Sequence, residues 1–362
     1  VDTGEYGAPE RALEEGGLRE RALGEGAPLE PALREGALRE RAPRRRGRAL
    51  RALLAALITT AVVVPLSGAA RPEIPAPPPA RLAAPTAATL PQIYAANRAD
   101  AAAASRMAAA HGDVERARTE RALADPSRRL LAFDGRGAGR AVEVFGDLAR
   151  AQRIAVLVPG SDTSLDTYAR FRATATALAA RLAAQVPPGT RTAVVAWLGY
   201  TTPGTISTTV LTASRADEAA PRLREFVRRL HRVAGRAAHI TLVCHSYGSV
   251  VCGRAAHGLD VDDIALIGSP GTGAEDVAAL HTRARVWAAR GGDDWVAEVP
   301  HVRADLLVTM VGFGTDPVSP AFGARVFAAG DGGHSDYFRP GSVSLANLAR
   351  IVLGAQQEVS RA

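Results

Sequence analysis

The chain contains no lysine: all 44 of its basic residues are arginine. Together with abundant alanine this is the mark of a coding bias, so the net charge of +7 is not by itself a nucleic-acid footprint. Aromatic residues are scarce, at 5%. The arginines are interspersed with acids rather than with stacking rings, which argues against nucleic acid as a partner. Cysteine is nearly absent: the two residues, Cys244 and Cys252, make neither a disulfide framework nor a zinc-ligand set. The histidines and acids show no metal-ligand spacing, and no glycine-rich phosphate loop follows a strand. No metal and no cofactor are expected.

Over the first hundred residues the longest uncharged run is Ala52 to Ala70. It follows Arg44, Arg45, Arg46, Arg48 and Arg51 and ends in the small residues Ser67, Gly68 and Ala69. Basic flank, apolar stretch and small-residue exit are the three parts of an export signal, with cleavage expected after Ala69. The run also approaches the length of a membrane span, so residues 49–70 read as a signal peptide or as a signal anchor that tethers the chain to a membrane. Either places the remainder outside the cytoplasm, secreted or anchored.

Ahead of that segment, residues 1–48 carry a decapeptide repeat, RALEEGGLRE, RALGEGAPLE, PALREGALRE. A glycine recurring within a highly charged tract disfavours a packed helix, and the leader reads as disordered. Residues 71–91 are crowded with proline and alanine and read as a linker or stalk.

From Gln92 onward the pattern changes. An alanine-rich helical segment to Leu123 leads into apolar strands alternating with amphipathic helices, the pattern of a mostly parallel, doubly wound α/β sheet with helices on both faces. Strands are predicted at Leu130 to Phe133, Ala141 to Phe145, Ile154 to Val158, Ala193 to Trp197, Ile240 to Val243, Ile264 to Ile267, Val286 to Ala289 and Val326 to Ala328. Helices are predicted at Leu165 to Ala184, at Ser214 to Val233 with Leu223, Phe226, Val227 and Leu230 on one face, and at Ser342 to Leu353.

The chemistry concentrates at ITLVCHSYGSVVCG, Ile240 to Gly253, where a buried strand runs into a helix with Ser246 at the turn. A strand-to-helix elbow of this kind lifts a serine hydroxyl clear of the backbone, and it needs small residues two positions before and after. Those are Cys244 and Gly248, so a cysteine stands where G-x-S-x-G has its first glycine. The loop VPGS after the strand at Ile154 to Val158 supplies a backbone donor in the α/β-hydrolase fold, and the residue after the nucleophile supplies another. Ser161 and Tyr247 are thus the expected oxyanion donors.

A serine becomes a nucleophile only when an imidazole takes its proton and an acid orients that imidazole. His334, in VFAAGDGGHSDYF after the last strand, is the expected base. Asp294 is the expected acid, with Asp293 beside it and Asp316 in GTDPVSP as alternatives; the order Ser, Asp, His is that of the fold. His245 adjoins the nucleophile but is expected to point elsewhere. Cys252, one helical turn after Gly248, faces the end of the strand at Cys244, so the pair reads either as a disulfide closed in an oxidising compartment or as two small buried thiols.

The stretch from Gln92 to Ala349 resembles a family of exported α/β-hydrolases of largely unassigned substrate. The resemblance rests on Asn97-Arg98, LLAFD at Leu130 to Asp134, VPG at Val158 to Gly160, Gly199-Tyr200 before Pro203, HSYGS at His245 to Ser249, TDP with FGA between Thr315 and Ala324, and GH with YF between Gly333 and Phe338. It implies the fold and a triad of Ser246, Asp294 and His334; it brings no substrate. The short connection from Ser269 to Arg285 leaves little room for a large lid and suits a small or exposed acyl substrate. The expected activity is hydrolysis of a carboxylic ester through an acyl-enzyme. Acyl transfer or amide hydrolysis would use the same residues, and a catalytically silent hydrolase-fold surface protein is the alternative of another class.

Overall fold

The computed structural model of the chain describes residues 74–205, 212–299, 304–306, 309–311 and 313–362. The expected leader and the export or anchor segment lie outside the described residues. Helix α1, Leu90–His111, begins with Pro91 in its first turn and ends at Gly112 in the left-handed region, the usual asymmetry of proline at the start and glycine at the stop. Helix α2, Val114–Leu123, packs back on it. The proline-rich stretch read as a linker is described from residue 74 and touches this hairpin: the Ala80 N–H donates to Asp100 Oδ2 at 2.8 Å, and Ala76 packs against the core.

Eight strands form one sheet: β1 Leu130–Asp134, β2 Arg140–Gly146, β3 Arg153–Val158, β4 Thr192–Leu198, β5 His239–His245, β6 Asp263–Ile267, β7 Arg285–Ala289 and β10 Arg325–Val326, in the spatial order β1-β2-β4-β3-β5-β6-β7-β10. The first two pairings, β1 with β2 and β2 with β4, are antiparallel. From β4 to β10 every pairing is parallel. A separate antiparallel hairpin, β8 Ala304–Leu306 and β9 Thr309–Val311, follows β7; the sequence pattern does not announce it. All eight predicted strands form, the last as two residues only.

Helix α3, Tyr168–Gln185, and helix α6, Val343–Leu353, cover one face, and helix α4, Ser214–Ala234, with helix α5, Gly248–Ala256, covers the other. Alternation along β3 shows how the faces divide. Ile154, Val156 and Val158 pack with Leu223, Val227 and Leu230 of α4 and Val250 of α5, whereas Ala155 and Leu157 pack with Leu178 and Leu182 of α3 and Leu345 and Leu348 of α6. Covered on both sides, β3 is apolar at every position from Ile154 to Val158, as the uninterrupted sequence run requires. This is the α/β-hydrolase fold. Its parallel strands end at one rim, and their carboxyl-end loops are where such a sheet places a ligand.

One buried group is out of keeping with the core. Glu120 of α2 is fully buried, and neither carboxylate oxygen has a hydrogen-bond partner among the described residues. Arg116, one turn earlier, is occupied by Asp166 at 2.7 Å and by the carbonyls of Gly135 and Gly137. Burial therefore pushes the Glu120 carboxyl up to about 7. A carboxyl that titrates higher folded than unfolded binds more protons in the native state, so stability falls as pH rises from the ordinary carboxylate range through 7. Glu120→Gln is expected to leave stability at pH 4 nearly unchanged and to raise it at pH 8 by roughly 3 kcal/mol, at about 1.36 kcal/mol per pH unit of displacement. Urea unfolding of both proteins at the two pH values measures this; an equal gain at both would show that the buried charge is not the cause.

Candidate active site

The β5–α5 turn places Ser246 with φ of 55°, in the left-handed region that a residue with a Cβ adopts only where the surroundings compel it. The Ser246 N–H donates to the Ile267 carbonyl at 3.0 Å, and the Ser249 N–H to the Ser246 carbonyl at 2.9 Å. Gly248 is required by close approach: a Cβ there would lie 2.5 Å from the Val158 carbonyl oxygen and 2.7 Å from that of Pro159. A Cβ on Gly160 would lie 2.6 Å from Ser246 Cβ. The loop after β3 is thereby pressed against the Ser246 turn, and only glycine fits on either side of the contact. Cys244, larger than the usual glycine, is fully buried and forms a disulfide with Cys252 of α5, with Cα atoms 6.5 Å apart.

Side chains on neighbouring loops fix this arrangement. Tyr200 OH donates to the Pro159 carbonyl at 2.7 Å. Asp162, itself at φ 55°, accepts from the Thr205 N–H at 3.1 Å and donates its own N–H to the Pro203 carbonyl at 3.0 Å. The Gly199-Tyr200 and Pro203 motif thus braces the β3 loop. Tyr247 OH donates to the Thr212 carbonyl at 2.7 Å and accepts from Ala216 N–H at 3.3 Å. Among the described residues, neither the Ser161 N–H nor the Tyr247 N–H has a protein acceptor.

Across the rim, Asp294 follows β7 and is almost completely enclosed, at 2% exposure. It lies 2.9 Å, through Oδ1, from His334 Nδ1. The same oxygen accepts from the Val296 N–H at 2.9 Å, and Oδ2 accepts from Tyr337 OH at 2.5 Å. Burial pushes the Asp294 carboxyl up, but the donors from His334, Tyr337 and Val296 outweigh it and hold the group below its usual range. The Tyr337 phenol is pushed well up, by burial first and by the carboxylate it faces second, so it is a fixed donor. Asp293 is exposed. Asp316 binds Arg290 Nη1 at 2.6 Å and accepts from the Val318 N–H at 3.1 Å. The structure brings Asp294, and neither alternative aspartate, to the His334 ring.

His334 uses Nδ1 for Asp294, which leaves Nε2 as the nitrogen that can accept a proton. Its ring is contacted by His245 and by Trp295, each with centroids 4.7 Å away. Trp295 is 53% exposed. Ser246, His334, Ser161 and Tyr247 all line one cavity of about 480 Å³ whose walls include Leu157, Phe171, Val243, Phe313 and Phe338. Among the hydrogen bonds of the described residues none joins Ser246 Oγ to the His334 ring. Also among the described residues, no group of three or more His, Cys, Asp or Glu side chains is gathered as a metal-ligand set, and no helix is long and apolar enough to cross a membrane.

Sequence reasoning misses three participants. Tyr337 lies in the quoted YF pair, but nothing in the spacing tells that its hydroxyl reaches Asp294 forty-odd residues earlier. Trp295 is visible only as a hydrophobic neighbour of Asp294. His245, expected to point away, instead reaches the His334 main chain.

Residues 134–304 match the family described as alpha/beta hydrolase; the span contains Ser246 and Asp294 and stops short of His334. An uncharacterized protein of Mycobacterium tuberculosis is 30% identical, over 62% of this chain and 38% of its own length. An uncharacterized protein of Mycobacterium bovis is 32% identical, over 45% of this chain and 66% of its own. The chain therefore spans less than two thirds of the curated relatives it matches. Among solved structures, esterase PE8 is similar at 16% identity and a TM-score of 0.39, over 58% of this chain and 95% of the other. A Xanthomonas campestris serine hydrolase described as lacking a lid is similar at 16% identity and a TM-score of 0.39, over 64% of this chain and 95% of the other.

Proposed function

Because the domain is an α/β hydrolase by its fold and by its family match over residues 134–304, we propose that it is a serine hydrolase that cleaves a carboxylic ester through an acyl-enzyme. One observation carries the reading. A serine forced to positive φ shares an apolar cavity with an imidazole whose far nitrogen meets a buried carboxylate. His334 Nε2 takes the Ser246 proton as Oγ attacks the acyl carbon. Asp294 holds the tautomer that makes this nitrogen an acceptor and steadies the imidazolium. The Ser161 and Tyr247 N–H groups receive the oxyanion, the protonated imidazole returns its proton to the leaving alcohol, and water repeats the sequence to release the acid. The Ser246–His334 hydrogen bond closes as substrate enters, as catalytic bonds that are long in ligand-free sites commonly do.

The apolar walls suit the acyl group of a small-molecule ester. Work outside the cytoplasm, secreted or anchored through residues 49–70, is part of the proposal, and a disulfide beside the nucleophile accords with an oxidising compartment. The full chain is expected to hydrolyse short-chain p-nitrophenyl esters and to take up one equivalent of a fluorophosphonate probe. Protein that is folded by circular dichroism yet inert to both would overturn the reading in favour of a silent scaffold.

A further inference from the structure

The base must sit within about half an ångström of its working position for proton transfer to be efficient, yet its loop is poorly suited to hold it. His334 follows Gly330, Gly332 and Gly333 and precedes Gly341, so the main chain around it has wide conformational freedom. Local bonds shape the turn: the Gly333 N–H donates to Asp336 Oδ2 at 2.9 Å, and the Asp336 N–H donates to the Gly333 carbonyl at 3.0 Å. Tyr337 and Asp294 tie the loop to the end of β7. None of these contacts refers the base to the nucleophile.

His245 does. It is the residue before Ser246, and its Nε2 lies 2.8 Å from the main-chain carbonyl oxygen of His334, 89 positions away in the chain. A carbonyl only accepts, so the hydrogen is on His245 Nε2. The His245 ring also lies against the His334 ring, centroids 4.7 Å apart at 41°, and 5.7 Å from that of Tyr337.

We propose that His245 is a positioning residue: its ring N–H anchors the main chain of the base to the nucleophile's own neighbour, setting imidazole and hydroxyl in register. The inference rests on the reading of Ser246 as nucleophile and His334 as base. His245 acts through His334 and takes no proton itself. Burial, reinforced by the neighbouring His334, pushes its imidazole down to about 4, so above that pH it carries a single N–H and no charge. Neutrality matters, because a second cation against the His334 ring would oppose the imidazolium that forms as Ser246 attacks.

The test separates the donor from the ring. His245→Phe keeps an aromatic ring and lacks the donor; His245→Gln and His245→Asn keep an N–H donor and lack the ring. With the full chain and a p-nitrophenyl ester, His245→Phe is expected to lower kcat by roughly 10- to 100-fold, as small misplacements of catalytic groups do, with KM within about twofold of wild type. The fluorophosphonate labelling rate is expected to fall in parallel, and the better-fitting amide variant to recover most of the loss. Wild-type kcat in His245→Phe, a change in KM alone, or amide variants no better than His245→Ala would overturn the proposal. Should His245→Phe not fold, the amide-against-alanine comparison at matched melting temperature decides it. Wild-type protein that takes no probe would instead remove the premise, a result distinct from labelled wild type with an indifferent His245→Phe.

Discussion

Ser246→Ala is expected to lower kcat for ester hydrolysis by roughly a millionfold, the scale on which a triad nucleophile acts when its partners stay in place, and to abolish fluorophosphonate labelling. The fold should survive the change. Ser246 holds its place through main-chain bonds, its N–H to Ile267 and its carbonyl from the Ser249 N–H, and alanine keeps both. Alanine meets the same steric resistance at φ 55° as serine does, so the melting temperature should move little. Substrate affinity should also persist, because the cavity walls and the Ser161 and Tyr247 donors are untouched. The informative result is therefore loss of turnover and labelling with retained binding of an unreactive ester analogue. Appreciable residual labelling would assign the nucleophile elsewhere.

What is legible in the sequence divides from what is not along a physical line. The strands and covering helices are legible because burial on both faces leaves uninterrupted apolar runs, such as Ile154 to Val158. Ser246 is legible because the elbow demands small residues at fixed offsets, and the clashes that a Cβ would make at Gly248 and Gly160 show why. The departure at Cys244 is legible as a departure, and the disulfide to Cys252 of α5 accounts for a side chain where glycine is usual. What cannot be read is whatever depends on where a glycine-rich loop finally lies. The Tyr337 hydroxyl and the His245 ring nitrogen find their partners only after the segment from Gly330 to Gly341 has folded over the rim. No periodicity encodes a contact of that kind. The hairpin of β8 and β9 is missed for a different reason: its strands are three residues long, too short to display alternation.

Asp294→Asn is the substitution whose effect depends most directly on geometry the sequence does not show, and kcat is expected to fall by about 10⁴-fold at neutral pH. The carboxylate now accepts three hydrogen bonds, from His334 Nδ1, the Val296 N–H and Tyr337 OH. An asparagine has one accepting oxygen and an amide that donates. If the oxygen stays with the Tyr337 hydroxyl, the amide takes the place of Oδ1 and faces His334 Nδ1, which must then be the unprotonated nitrogen. The proton moves to Nε2, and the imidazole can no longer accept from Ser246. Tyr337→Phe makes the natural control. It removes one donor from Asp294 and leaves the Gly291 N–H, now bonded to the hydroxyl at 3.0 Å, without its acceptor, yet Asp294 still faces Nδ1 and the tautomer is unchanged. The expected cost is chiefly stability, about 1–3 kcal/mol for a buried group left unpaired, with kcat reduced far less than in Asp294→Asn. Kinetics and urea unfolding of the two variants side by side distinguish a carboxylate that selects a tautomer from one that only ties loops together. Equal kcat losses in both would favour the tie.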